Sequence, residues 1–312
     1  MTKACAPAKV ILLGEHAVVY GRPAIAVPVT EVQACVEVEP TSGPGVTVCA
    51  MELGCSWDLS SAPEREPLCL TVRNTLALLG VEERELHLRL TIRSSIPVAS
   101  GLGSGAAVAT ALVRALSAHL GHDLEAEAVS SLVYETEKIF HGTPSGIDNT
   151  VVAYEQPVYF CRGEPIRRMG VGRPFWLAIA DSGLPSLTVE TVGDVRAAWL
   201  RDRAGLEALF DAIGAIVDRA HGAVERGDVS ALGSLMNENQ RVLRRLDVSS
   251  PEIEALVGAA LGAGAGGAKL SGGGRGGNVI AVVEPERADG VRQALLAAGA
   301  KSVIVTRVGG AG

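Results

Sequence analysis

The sequence predicts an α+β protein of two domains, and three observations carry that expectation. Its 312 residues, 47% of them hydrophobic, suffice for more than one core at the usual ~100 to 200 residues per domain. Helical and strand periodicities alternate without the regular rhythm of a doubly wound parallel sheet, which favours layered sheets and helices. The Gly- and Pro-containing stretch MGVGRPF interrupts the chain and sets the expected boundary, an N-terminal domain over 1–170 and a C-terminal domain over 171–312.

The elements follow in order. KVILLG and AIAVPV read as strands flanking a turn, and QACVEVE and GVTVCAM continue the β-branched alternation. LCLTVRNTLALLG has helical spacing and ends on Gly80, a residue suited to a helix C-terminus. ELHLRLTIRS alternates as a half-buried strand does, and a helix of small residues runs from Ala106 to Leu120. A further helix starts near Asp123, with Glu125 and Glu127 in its first turn, and reaches about Phe140. VVAYE, PVYFC and FWLAIADSG read as strands, with Asp148 placed in a loop ahead of the first. Helices are expected from about 190 to 246, 251 to 262 and 287 to 298, before a closing strand SVIVTRV.

Composition removes several function classes. A net charge of −7 and scattered arginines provide no basic field for nucleic acid. The six cysteines, at 5, 35, 49, 55, 69 and 161, show neither CxxC spacing nor a partnered histidine, so they read as reduced thiols of a cytoplasmic protein. The apolar run before Gly14 is too short for a signal-peptide core. ALVGAALGAGAGGA falls short of the ~20 residues a membrane helix needs.

Three glycine-rich segments with small hydroxyl residues lie at strand or helix ends, at 100–105, 142–149 and 271–277. Neither the P-loop ending Gly-Lys-Ser/Thr nor a dinucleotide glycine triplet is present. In SIPVASGLGSGAAVATAL the glycines precede a helix, where open backbone N–H groups and the dipole suit a phosphate, although a close-packed turn would look the same. A loop aspartate such as Asp148 is ordinarily a cap or turn residue; as a functional group it would take a hydroxyl proton in phosphoryl transfer. Glu137, at the edge of an apolar stripe with Val133 and Phe140, is ordinarily a solvated helix residue and by periodicity only a candidate for function. Lys9 opens the strand KVILLG and Glu15 and His16 follow its end, either as solvated charges or as the frame of a polar pocket.

Taken together, APAKVILLGEHAVVYG, PVASGLGSGAAVATA, HGTPSGIDNTVV and GGAKLSGGGRGGNVIAVV, in that order over residues 6–285, resemble the GHMP small-molecule kinases, and within them the branch acting on mevalonate. The resemblance implies a ribosomal-S5-like N-terminal domain, a ferredoxin-like C-terminal domain and a site between them. It implies ATP-dependent phosphorylation of the 5-hydroxyl of mevalonate with Mg²⁺, and a homodimer as the common assembly. By motif position, Asp148 would accept or orient the hydroxyl proton and Lys9 would stabilise the transferred phosphoryl, while Glu137 would bind Mg²⁺. Ala99, Ser100, Gly101, Leu102, Gly103, Ser104 and Gly105 would wrap the ATP phosphates, with Ser94 helping to hold the nucleotide. Glu15, His16, Ser145 and Thr188 would shape the substrate pocket.

Three departures stand out. Gly105 occupies the position of the second serine of the usual Gly-Leu-Gly-Ser-Ser, which removes an expected Mg²⁺ hydroxyl, and Ala99 replaces the loop's first glycine. Arg275 interrupts the third glycine run, where it would partly answer phosphate charge. The rival readings are a phosphomevalonate kinase or a related decarboxylase, which would need extra Arg or Lys in the pocket, and a non-catalytic ligand-binding homologue.

Overall fold

The structure, a computed structural model, describes residues 1–97, 100–141, 144–185 and 188–309. Two compact units are built from interleaved stretches of chain: Met1–Ala8, Val32–Val98 and Leu102–Glu155 form the first, and Lys9–Glu31, Ala99–Gly101 and Gln156–Gly312 the second. Strands β1 (Thr2–Leu13) and β2 (Ala24–Pro40) each contribute residues to both units.

In the first unit, β3 (Gly45–Ala50) pairs antiparallel with β4 (Cys55–Asp58). α1 (Pro67–Leu79) follows, started by Pro67 and by the Glu66 carboxylate, which accepts from the Cys69 amide at 2.7 Å, and stopped by Gly80 in the left-handed conformation. β5 (His87–Ser94) joins β2 antiparallel, from Ala34 opposite Ser94 to Pro40 opposite Leu88, and runs parallel to β3. Its Leu88, Leu90 and Ile92 are buried while His87 and Arg89 are exposed, so the period of two aims one face at the core. α2 (Ser104–His119), α3 (Ala126–His141) and α4 (Ile147–Tyr154) complete this unit. The buried face of α2 is rich in alanine, Ala106, Ala107, Ala109 and Ala111 among them, which lets α1, α3 and α4 approach it closely.

In the second unit, β6 (Val158–Phe160) pairs with the start of β2, and β7 (Arg167–Arg168) with β6. β8 (Phe175–Asp181), α5 (Thr188–Arg201), α6 (Arg203–Arg226), α7 (Val229–Arg245), α8 (Pro251–Gly262), β9 (Gly267–Ser271), β10 (Asn278–Val283), α9 (Ala288–Ala297) and β11 (Ser302–Val308) follow. The antiparallel order β11-β8-β10-β9 is the 4-1-3-2 arrangement of ferredoxin-like sheets. Asp202, Asp228 and Ser250 cap α6, α7 and α8 through their side chains.

The expected α+β class and most of the expected elements are present, with two corrections. VVAYE is not a strand: Val151–Tyr154 belong to α4, which Gly146 initiates at φ 92°, and Glu155 follows as its left-handed C-cap. The β-branched Val151 and Val152 are tolerated in this helix because they are buried, and burial overrides their intrinsic preference. Nor are all six cysteines thiols, since Cys5 and Cys35 form a disulfide between the paired strands β1 and β2. A 30-residue separation carries no spacing signal, and only the strand pairing brings the two together. Among the described residues, no helix is long and apolar enough to cross a membrane.

Candidate functional site

The first unit carries two of the expected acids on neighbouring helices. Asp148 occupies the first turn of α4, and it is half-buried rather than sealed in. The correction to its predicted loop position matters chemically, because a helix fixes the side chain's origin more firmly than a loop. α4 is tied to α3 by Asn149, whose Nδ2 donates to Ser130 O at 3.1 Å and Ser130 Oγ at 2.9 Å. Thr150 Oγ1 donates back to Gly146 O at 2.7 Å. Ser145 Oγ accepts from the Ile147 amide at 3.4 Å, so its hydroxyl shapes the start of the same helix. Glu137, two turns beyond Ser130 on α3, is 3% exposed. Its neighbour Thr136 is hydrogen-bonded to Thr71 of α1 at 2.7 Å, which fixes that part of α3 from the other side.

The loop ahead of α2 divides between the units. In the first, Leu102 is buried, Gly103 sits at φ 71° as the residue before the helix, and Ser104 and Gly105 form the first turn with no side chain capping it. In the second, Gly101 is exposed at φ 77° and the Ser100 carbonyl accepts from Asn278 Nδ2 of β10. Ala99 lies outside the described residues. Ser94 Oγ accepts from the Ile96 amide at 3.2 Å, a turn contact at the end of β5.

The second unit assembles the Lys9, Glu15 and His16 region. Lys9 is 4% exposed on β1. The chain after β1 turns sharply at Gly14, φ 106°, where a Cβ would lie 2.5 Å from the Ala24 Cα, so only glycine fits. Glu15 is 1% exposed, and both its oxygens are engaged: Oε1 pairs with Lys269 Nζ and Oε2 accepts from Asn239 Nδ2 at 3.3 Å. Lys269 is fully buried, and burial pushes its ammonium pKa down against the opposing pull of Glu15. His16 adopts φ 61° and places Nε2 3.0 Å from the Gly273 carbonyl oxygen. Burial lowers its pKa from 6.5 to about 4, so the ring is neutral at pH 7. Thr188, at the start of α5, is close to the same loop, since a Cβ on Gly273 would sit 2.8 Å from its Oγ1.

The segment following His16 is anchored independently. The Tyr20 ring stacks on Phe210 at 4.2 Å between centroids, and Arg22 binds Glu207 and Asp211 of α6. Arg275 differs from its expected role towards phosphate: its guanidinium engages Asp194 and Asp247 and its backbone sits at φ 55°.

Sequence reasoning missed Lys269, Asn239, Asn149 and Ser130. The available signal was Lys269 itself, a lone charge inside the small-residue run GGAKLSGGG, which a surface strand does not require. Among the described residues, no three His, Cys, Asp or Glu side chains converge as a metal site. The carboxylate of Glu137, 3% exposed on α3, nevertheless suits Mg²⁺, which characteristically takes one or two protein oxygens with phosphates and waters completing its shell.

Comparison with known proteins bears on what these clusters serve. The model of the GHMP kinases N terminal domain matches residues 70–156, and that of the GHMP kinases C terminal region matches 220–301. The mevalonate kinase of Pyrococcus horikoshii is 36% identical over 98% of this chain and 95% of its own length. That of Aeropyrum pernix is 36% identical over 89% of this chain and 87% of its own. The structure of L. major mevalonate kinase in complex with R-mevalonate superposes with a TM-score of 0.84 at 30% identity, covering 99% of this chain and 96% of that one. A Streptococcus pneumoniae phosphomevalonate kinase reaches the same TM-score, 0.84, at 16% identity, which speaks for the fold alone. With more than a third of its residues shared with a mevalonate kinase along almost its whole length, this chain belongs to the mevalonate kinase family of the GHMP kinases.

Proposed function

We propose that the protein transfers the γ-phosphoryl group of ATP to the 5-hydroxyl of mevalonate. The observation that carries this reading is the 36% identity to a mevalonate kinase over 98% of the chain.

Each residue then has a physical task. The uncapped N-terminus of α2, entered through Gly101 and Gly103 at positive φ, offers backbone N–H groups and a partial positive charge to the ATP phosphates. Side chains at those glycines would obstruct the approach. Asp148, in the first turn of α4, takes the proton of the attacking alcohol or aligns it. Lys9 stabilises the charge that develops on the transferred phosphoryl group. Glu137 would hold Mg²⁺, which when bound offsets phosphate charge. Neutral His16 donates from Nε2 to the Gly273 carbonyl and keeps Nδ1 as an acceptor, a polarity suited to a substrate hydroxyl. Ser145 and Thr188 complete the substrate contacts in this reading.

A coupled ADP-release assay across mevalonate, phosphomevalonate, galactose and homoserine tests it. Mevalonate is expected to give the highest kcat/KM. A higher value with phosphomevalonate or either other alcohol overturns the assignment.

A further inference from the structure

We propose that Lys269 is a positioning residue for the alcohol substrate, acting through Glu15 to hold the His16 turn in one conformation. The proposal rests on the mevalonate reading above.

The argument begins with the period of a strand. Lys269 and Ser271 alternate along β9, so their side chains share a face, and Gly273 follows two residues beyond the end of the strand. Each grips the end of β1 or the turn that follows it at a different point. Lys269 pairs with Glu15, Ser271 Oγ donates to Ile11 O at 2.8 Å, and the Gly273 carbonyl accepts from His16 Nε2 at 3.0 Å. The gripped segment is unusual in its backbone, with φ 106° at Gly14 and φ 61° at His16, a residue that rarely adopts a positive value. Such a conformation persists only where its surroundings over-determine it. Three backbone bonds also close the turn, Ala17 N to Glu15 O at 2.7 Å, Val18 N to Gly14 O at 3.1 Å and Val19 N to His16 O at 3.1 Å, but these leave the ring orientation to the side-chain ties.

A contribution to stability alone would not explain a fully buried ion pair. Replacing such a pair with apolar residues of similar volume is often neutral or stabilising, because desolvation offsets the attraction. What the pair supplies is direction: Glu15 is held from two sides, by Lys269 and by Asn239 of α7, and His16 is the next residue. With Nε2 committed to a carbonyl, which only accepts, the ring has one tautomer and one free lone pair.

The test compares wild type, Lys269→Met and the charge-neutral pair Glu15→Gln/Lys269→Met. The double variant leaves no lone buried charge and so guards against loss of the fold. KM for mevalonate, KM for ATP and kcat are measured, together with the ¹⁵N shifts of the His16 ring. The expected result in the folded variants is a mevalonate KM raised roughly tenfold or more, the scale of one lost charged contact, with KM for ATP within about twofold. The His16 ring is expected to lose its single Nε2–H signature. A folded double variant that keeps either the wild-type mevalonate KM or the wild-type ring signature overturns the proposal. If wild type does not phosphorylate mevalonate, the functional reading fails, and the ring signature alone decides the positioning role.

Discussion

Asp148 and Glu15 are both carboxylates within quoted motifs, yet the two units treat them in opposite ways. Asp148 sits half-buried at the first turn of a helix, its position set by neighbours such as Asn149 that hold the backbone. Glu15 is 1% exposed and both oxygens are consumed by Lys269 and Asn239. An acid meant to exchange a proton with a substrate must remain reachable, whereas an acid meant to hold geometry gains from being sealed with its partners. The difference separates a chemical role from an architectural one more clearly than residue type does.

The sharpest way to break this contrast is Asp148→Asn. Turnover is expected to fall by roughly a hundred- to ten-thousand-fold, the scale of general-base catalysis, with the melting temperature essentially unchanged. Near-wild-type turnover in the ADP-release assay would remove Asp148 from the chemistry. The mirror experiment is Glu15→Gln, where leaving Lys269 without its anion is expected to cost about 3 to 5 kcal/mol in urea unfolding. An unaltered unfolding midpoint would show that the pair does not hold the turn.

His16 sharpens the comparison through pH. Its folded pKa, about 4, lies below the ordinary 6.5, so between those values the unfolded chain binds the proton more readily. Stability from this group is therefore full above pH 6.5 and is lost as the pH falls towards 4, by up to roughly 3 kcal/mol. Unfolding measured at pH 7 and pH 4.5 should show a smaller loss in His16→Asn than in wild type; equal losses would assign the acid sensitivity elsewhere.

The smallest expected effect concerns the metal. Glu137→Gln should raise the Mg²⁺ concentration for half-maximal rate on the order of tenfold, and Gly105→Ser should lower it by restoring a hydroxyl donor. A Mg²⁺ titration at fixed ATP and substrate checks both, and an unchanged requirement in Glu137→Gln removes it from the metal site.

Much of this organisation is local and therefore legible. Gly80 ends α1, and the alternation of Leu88, Leu90 and Ile92 marks a buried strand face, each read from a few neighbouring residues. Asp148 was legible as a candidate but not as a helix residue, because Val151 and Val152 mimic a strand until α2 and α3 bury them. Glu15 and His16 were legible as a pair, while the direction of their side chains was not.

By itself, then, the chain specifies its family motifs, its helix caps and its sheet faces, because capping, turns and periodicity depend on residues close in sequence. The tertiary structure decides which charges are sealed and with whom. Lys269 reaches Glu15 across 254 positions, and Cys5 meets Cys35 only because two strands pair. Burial and ion pairing are properties of surroundings assembled from distant segments, so no local propensity distinguishes a solvated glutamate from one enclosed against a lysine.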